Sequence, residues 1–250
     1  MGPPRSIVQL CGDLVVSLYG RRIERQLPGR QGRVLFAYLV LNRSRDATAD
    51  ELVSALWQGG GPDGAQATLR TLVSKVRRAV GMDVLGRGGR YRLSLPGDVR
   101  VDLEVARDAI HRAEAAVTSE EWHRAWAPAQ VALLTARRAF LPGEEGTWID
   151  EVRRELRDLE TRGLESYAAA CLGVAGTELA VAERSARRLI EREPFHESGY
   201  RILMQVLAAE GNIADALLAY ERLVGVLREE LGADPSPRTR ELHRSLLELT

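Results

Sequence analysis

The sequence predicts an α+β amino-terminal domain followed by an all-α domain of stacked helix pairs, and three observations carry that expectation. The first 95 residues hold short alternating stretches and three amphipathic helical patterns, whereas after Pro96-Gly97 the texture turns to Ala-, Leu-, Glu- and Arg-rich helical periodicity without a convincing strand. Thr177 and Asn212 read as helix N-caps 35 residues apart, close to the tetratricopeptide period of about 34. Charge divides at the same place: residues 1–95 carry 15 basic and 7 acidic side chains, the remainder 20 and 28, so a net charge of zero hides halves of +8 and −8. The expected domains are therefore 1–97 and 98–250.

The elements follow in order. Ile7-Val-Gln-Leu10 alternates, Gly12-Asp13 turns, Leu14-Val-Val-Ser-Leu18 follows, and Gly20-Arg21 turns into Ile23–Leu27, which together read as a small antiparallel sheet. From Gly32 to Asn42, Val34, Leu35, Tyr38 and Leu39 suit one helical face. Thr48-Ala-Asp-Glu51 has the form of a capping box, opening a second helix expected to bury Leu52, Val53, Leu56 and Trp57. Gly59 to Gly64 breaks the chain, a third helix runs from Ala65 to Val80, and Val84 to Leu95 reads as a hairpin about a Gly-rich turn.

In the acidic half, helices are expected at about 103–117, 120–138, 177–192, 197–210, 212–231 and 237–249, with Pro128 kinking or splitting the second of these. Trp148, Val152, Leu156, Leu159, Gly163, Tyr167 and Cys171 form a stripe along one further long helix. Glu193-Pro194 and Asp234-Pro235 read as stops, and Ser236-Pro237 as a cap with proline in the first helical position.

Composition narrows the function classes. With 45% apolar and 28% charged residues the chain belongs among globular proteins, and its longest apolar run, Val34 to Leu41, is eight residues against the roughly 18 needed to cross a bilayer. Neither membrane association nor export is expected, and a cytoplasmic, nucleoid-associated location is expected. Cys11 and Cys171 stand 160 residues apart and the four His are scattered, so neither a disulfide framework nor a metal site is expected. Glu144-Glu145 reads as a solvated turn. Trp122, Trp126 and Trp148 read as packing residues. No nucleophile elbow, phosphate loop or catalytic His pairing is present in the sequence, so no enzyme and no cofactor are expected.

Strands, three helices and a terminal hairpin are the parts of a winged helix-turn-helix. The third helix turns Leu69, Leu72, Val73, Val76 and Val80 inward, leaving Arg70, Thr71, Ser74, Lys75, Arg77 and Arg78 outward with no carboxylate between Ala65 and Val80. Four cations and two hydroxyls suit phosphate oxygens and guanine edges. The hairpin adds Arg87, Arg90 and Arg92 as a wing.

The run Leu69-Arg-Thr-Leu-Val-Ser-Lys-Val-Arg-Arg-Ala-Val80, with Tyr91-Arg-Leu93 in the hairpin, resembles the OmpR/PhoB-type DNA-binding domain. Ala216 to Leu223, Leu227-Arg-Glu-Glu-Leu-Gly-Ala-Asp-Pro-Ser-Pro237 and Leu242 to Leu247 resemble the end of the bacterial transcriptional activator domain, and Phe140 to Trp148 and Glu193 to Tyr200 are similar to other parts of it. In that order the two modules resemble the AfsR/SARP regulators of actinobacteria, in the short form without an NTPase domain. The resemblance implies an activator that binds direct repeats in double-stranded DNA, head to tail as a dimer on the DNA, and recruits RNA polymerase with its sigma factor. It places Lys75 at a base, Arg77 at a phosphate, Arg90 and Arg92 in the wing, and polymerase contacts in the loop before the third helix, with Gln58, Gly60 and Asp63 as the candidates. The rival readings are a repressor with the same DNA contacts and a tetratricopeptide-type scaffold that has lost DNA affinity; whether the helical half takes a ligand is open.

Overall fold

The computed structural model describes residues 6–57, 61–81 and 84–249, residues 84–87 by backbone alone. By packing, the chain forms two compact units: Met1–Val105 with Arg138–Leu156, and Ala106–Arg137 with Arg157–Thr250.

In the first unit, β1 (Ile7–Gln9) pairs antiparallel with β2 (Val15–Leu18), and β2 with β3 (Arg21–Arg22). Alternation buries Val8, Val16 and Leu18 on one face. The expected strand at Ile23–Leu27 is instead a 3-10 turn, Glu24–Gln26. There the Glu24 carboxylate accepts from Arg22 Nε at 2.8 Å and from the Val16 N–H at 3.2 Å, which draws the chain off the ladder. Three helices follow: α1 (Gly29–Leu41), α2 (Ala49–Leu56) and α3 (Ala65–Val80). Between α1 and α2 lies β4 (Ala47–Thr48), and after α3 comes the hairpin of β5 (Val84–Arg87) and β6 (Arg90–Leu93), giving a second sheet in the order β4-β6-β5. Finally β7 (Arg100–Val101) lies parallel to β1. The first sheet is therefore mixed, where a purely antiparallel one was expected, because a two-residue strand carries no period to read.

Leu52 and Val53 are buried as expected, but Leu56 and Trp57 are only half-buried, since α2 ends at Leu56 and the chain turns outward. The capping box forms: Glu51 N–H donates to Thr48 Oγ1 at 3.2 Å and Thr48 N–H to Glu51 Oε2 at 3.3 Å. Arg45 also donates to the Glu51 carboxylate, and its guanidinium, with the Tyr38 hydroxyl and the capping amide, holds the Glu51 carboxyl down to about 2. A depressed carboxyl stabilises the fold above its unfolded-state value and loses that contribution as pH falls through its folded-state value. Glu51→Gln, which keeps the capping geometry, is thus expected to flatten the dependence of stability on pH between about 4.5 and 2, read from urea midpoints across that interval.

Arg138–Leu156 packs within the first unit. Phe140, fully buried, forms an antiparallel bridge with Cys11. Trp148 sets its ring edge-on to Tyr38 (centroids 5.1 Å, 86°) and to Phe140 (5.8 Å, 78°), and its indole N–H donates to the Ala55 carbonyl at 3.0 Å. Glu144, read from sequence as solvated, is paired with Arg30 at 2.6 Å; Glu145 is exposed.

The helical elements are α4 (Asp102–Thr118), α5 (Trp122–Ala136), α6 (Thr147–Val174), α7 (Leu179–Arg192), α8 (Glu197–Ala209), α9 (Ile213–Leu231) and α10 (Pro237–Leu247). Of the kink or split expected at Pro128, the split does not occur: α5 continues through the proline, which removes one intrahelical bond. Thr177 does not cap α7: it sits in a 3-10 turn, Gly176–Glu178, and the N-cap is Glu178. Glu178 and the N-cap Asn212 are then 34 residues apart, the tetratricopeptide period. The core of this unit is small-residue rich, with Ala168, Cys171, Ala186 and Ala216 fully buried beside Leu164, Leu189, Met204 and Leu223, which lets the helix axes approach closely.

Candidate nucleic-acid interface

Helix α3 is bounded by two left-handed glycines, Gly64 at its N-cap and Gly81 at its C-cap, the latter donating to the Arg77 carbonyl. Its five apolar side chains pack inward: Leu69 and Val76 are fully buried, and Leu72, Val73 and Val80 are at most 8% exposed. Arg70, Thr71, Ser74, Lys75, Arg77 and Arg78 are all exposed. With no Asp or Glu on the helix, nothing within it neutralises the four cations. Among the described residues no carboxylate pairs with Arg70, Lys75 or Arg78. The Thr71 hydroxyl donates to its own helix, at the Ala67 carbonyl (3.2 Å), so it offers an acceptor outward. A side-chain bond from Gln66 to Asp50 (3.2 Å) ties the start of α3 to α2.

Beside this helix stands the hairpin. Gly88 and Gly89 have φ of +62° and +76°, the paired positive values that a two-residue type I′ turn requires, and they close the Arg87↔Arg90 pair. Along β6 the alternation is clean: Tyr91 and Leu93 point into the core, Arg90 and Arg92 outward on one face. The register of β4 against β6 sets Thr48 opposite Arg90. Arg92 is shared with Asp46, whose carboxylate lies 3.5 Å away with both side chains about half exposed, a pairing worth little in water. The Arg87 side chain lies outside the described residues, as do Gln58 and Gly60 of the loop before α3; Asp63 is exposed on the turn leading into the helix.

The candidate residues thus fall into two sets. Helix geometry brings six onto one exposed face of α3, and strand alternation brings Arg90 and Arg92 onto one exposed face of the hairpin. Sequence reasoning missed Asp46 as the partner of Arg92, because only the pairing of β4 with β6 makes them neighbours. It also missed Asp102 at the start of α4, which accepts the N–H groups of Leu10 (3.0 Å), Cys11 (2.9 Å) and Leu103 (2.9 Å). An Asp opening a helical run was the one available signal.

No helix among the described residues is long and apolar enough to cross a membrane, and none of their His, Cys, Asp and Glu side chains cluster as a metal site would require.

Comparison with known proteins adds the family. Residues 101–247 match the bacterial transcriptional activator domain. The chain is 32% identical over 218 residues to the regulatory protein AfsR of Streptomyces griseus, covering 87% of this chain but 22% of AfsR. With the regulatory protein DnrI of Streptomyces peucetius it shares 27% identity over 255 residues, 96% of this chain and 91% of DnrI. Its structure is similar to that of Mycobacterium tuberculosis EmbR in complex with a low-affinity phosphopeptide, with a TM-score of 0.82 and 25% identity over 98% of this chain and 66% of the EmbR chain. By its matched domain and these regulators, the chain belongs to the bacterial transcriptional activator domain family and to the AfsR/SARP-type regulators.

Proposed function

We propose that the chain is a sequence-specific DNA-binding regulator, an activator that recognises direct repeats upstream of a promoter and recruits RNA polymerase. The observation that carries this reading is the outer face of α3: exposed cations and hydroxyls without a carboxylate among them. A face that met only water gains nothing from excluding acids, since mixed charges keep a surface soluble and relieve repulsion among like charges. A face that meets a polyanion must exclude them. In this reading α3 enters the major groove, Lys75 reaches a base edge, Arg77 a phosphate, and the hairpin arginines lie along the flanking backbone. Relatives named as regulators support the transcriptional role.

The test is in-vitro selection of genomic fragments by the purified protein at about 150 mM salt, where purely electrostatic binding is suppressed. Tandem half-sites about 10 to 11 bp apart next to promoters are expected, as two winged helices placed head to tail require. The distance of the sites from the promoter elements separates activator from repressor. A folded protein that enriches nothing would move the reading to a protein-interaction scaffold. Within the selected site, Lys75→Ala is expected to lose roughly 1–3 kcal/mol of specific affinity while binding to random DNA changes little. An unchanged ratio of specific to random affinity, measured by competition, would remove Lys75 from the base contacts.

A further inference from the structure

A cavity of about 860 Å3 opens within the helical unit, a volume in the range of small-molecule sites. Helix α6 forms its floor, the end of α4 and the start of α5 one wall, and α8 with α10 the other. Two arginines face it from the second wall, Arg201 on α8 and Arg238 on α10. Arg201 is largely enclosed, its side chain 19% exposed. Its guanidinium donates to Thr239 Oγ1 at 3.0 Å, a neutral acceptor. Glu197 Oε2 stands 3.8 Å away, but that carboxylate is already occupied by the Ser236 N–H and hydroxyl and by the Thr239 hydroxyl. Most of the five donors of Arg201 are therefore unspent. Arg238 has no carboxylate partner among the described residues. Burial, and after it the charge of Arg238, depress the Arg201 guanidinium below its ordinary value, while Glu197 and Glu165 act in the opposite direction.

Part of the remaining lining is apolar, beside polar side chains that include Ser166, Ser198 and Gln205. A Cβ at Gly173 would come within 2.2 Å of the Trp122 indole, so that ring lies directly on the backbone of α6, where any side chain at 173 would displace it. Leu172, Ile202 and Leu242 continue the surface. Glu165 and Glu120 also line the cavity, which makes it hostile to a polyanion. Glu114 is neutralised by Arg162, with bonds of 2.6 and 2.7 Å.

We propose that this cavity binds a small organic anion, its carboxylate or phosphate held between Arg201 and Arg238 and its apolar or aromatic body lying along Trp122, Leu172 and Ile202. Charge-assisted bonds to a planar guanidinium fix the head group, and the apolar wall supplies the burial. The site stands apart from DNA recognition, because every group in it belongs to the helical unit and none to α3 or the hairpin.

The experiment is isothermal titration of the full chain with 2-naphthoate, 2-naphthyl phosphate and the neutral 2-naphthol. Saturable one-to-one binding of at least one anion is expected, with no binding of the alcohol; whichever anion binds names the head group. Arg238→Gln, at an exposed position with no ion-pair partner, leaves the melting temperature unchanged and weakens binding by about tenfold or more, the loss of one charged hydrogen bond. Arg201→Gln is expected to do the same, and because it also removes the bond to Thr239, Arg238→Gln is the decisive variant. Lys75→Ala/Arg78→Ala, on the other cationic surface, keeps full affinity. Absence of saturable binding by both anions, equal affinity for 2-naphthol, undiminished affinity in Arg238→Gln, or loss of binding in Lys75→Ala/Arg78→Ala would each overturn the proposal.

Discussion

Replacing Glu160 by alanine is expected to destabilise the helical unit by roughly 3–5 kcal/mol, the cost of removing one partner from a buried charge network. The carboxylate is 6% exposed on α6 and meets three guanidinium groups: Arg192 at 2.9 Å, Arg188 at 3.3 Å and Arg137 at 3.5 Å. Arg137 directly follows α5, while Arg188 and Arg192 are one turn apart on α7, so a single acid links three successive helices. Without it, three neighbouring cations lose their common anion, Arg192 the most enclosed of them and Arg137 and Arg188 exposed. Arg192 suffers most, because its Nε is already buried without a partner among the described residues. Glu160→Gln, which keeps the volume and loses the charge, is expected to recover little. The check is the shift of the urea midpoint with unchanged slope. A loss below about 1 kcal/mol would show that the three arginines simply turn to solvent, as exposed pairs do.

Asp102→Ala is the second large effect, expected to cost roughly 2–6 kcal/mol in the amino-terminal unit, from two buried N–H groups at about 1–3 kcal/mol each. Leu10 and Cys11 are fully buried, and their N–H groups have the Asp102 carboxylate as acceptor. The same carboxylate sits at the start of α4 and accepts the Leu103 N–H, where a negative charge also favours the helix dipole. Burial pushes its carboxyl above the ordinary value while the three amides pull it down. Asp102→Asn keeps one oxygen acceptor and is expected to fall between the wild type and alanine. Amide hydrogen exchange at Leu10 and Cys11 reads the effect locally: both should lose protection in Asp102→Ala well before the core of α3 does.

What was legible in the sequence was what repeats. The stripe of Leu69, Leu72, Val73, Val76 and Val80 fixed α3 to the residue and with it the outward positions of Arg70, Lys75 and Arg78, because a 16-residue helix offers four turns of evidence. The long stripe from Trp148 to Cys171 likewise lies on one helix, Thr147–Val174. What escaped was set by long-range pairing. Nothing near Arg92 in the chain announces Asp46, 46 residues earlier, and two-residue β7 has no pattern of its own. Trp148, read as one more position of a stripe, turns out to close the far side of α1 and α2 through Tyr38 and Ala55. Pro128 does not split its helix for a simpler reason: a proline costs a helix one hydrogen bond, and tertiary packing around Ala125, Ala129, Ala132 and Leu133 outweighs it.

The interleaving of the first unit has a consequence for biosynthesis. When residue 105 leaves the ribosome, the edge at Cys11 still lacks Phe140 and the Ala55 carbonyl still lacks its indole. At about 5–20 residues per second, the missing piece through Leu156 follows on the order of 3 to 10 s later, after all of Ala106–Arg137 has emerged. The nascent chain must therefore keep the opening segment of its helical unit waiting while the amino-terminal unit is completed across it. Order of synthesis and order of folding part company here, and a fragment cut at residue 97 reproduces a nascent stage of the domain without Asp102, Phe140 or Trp148.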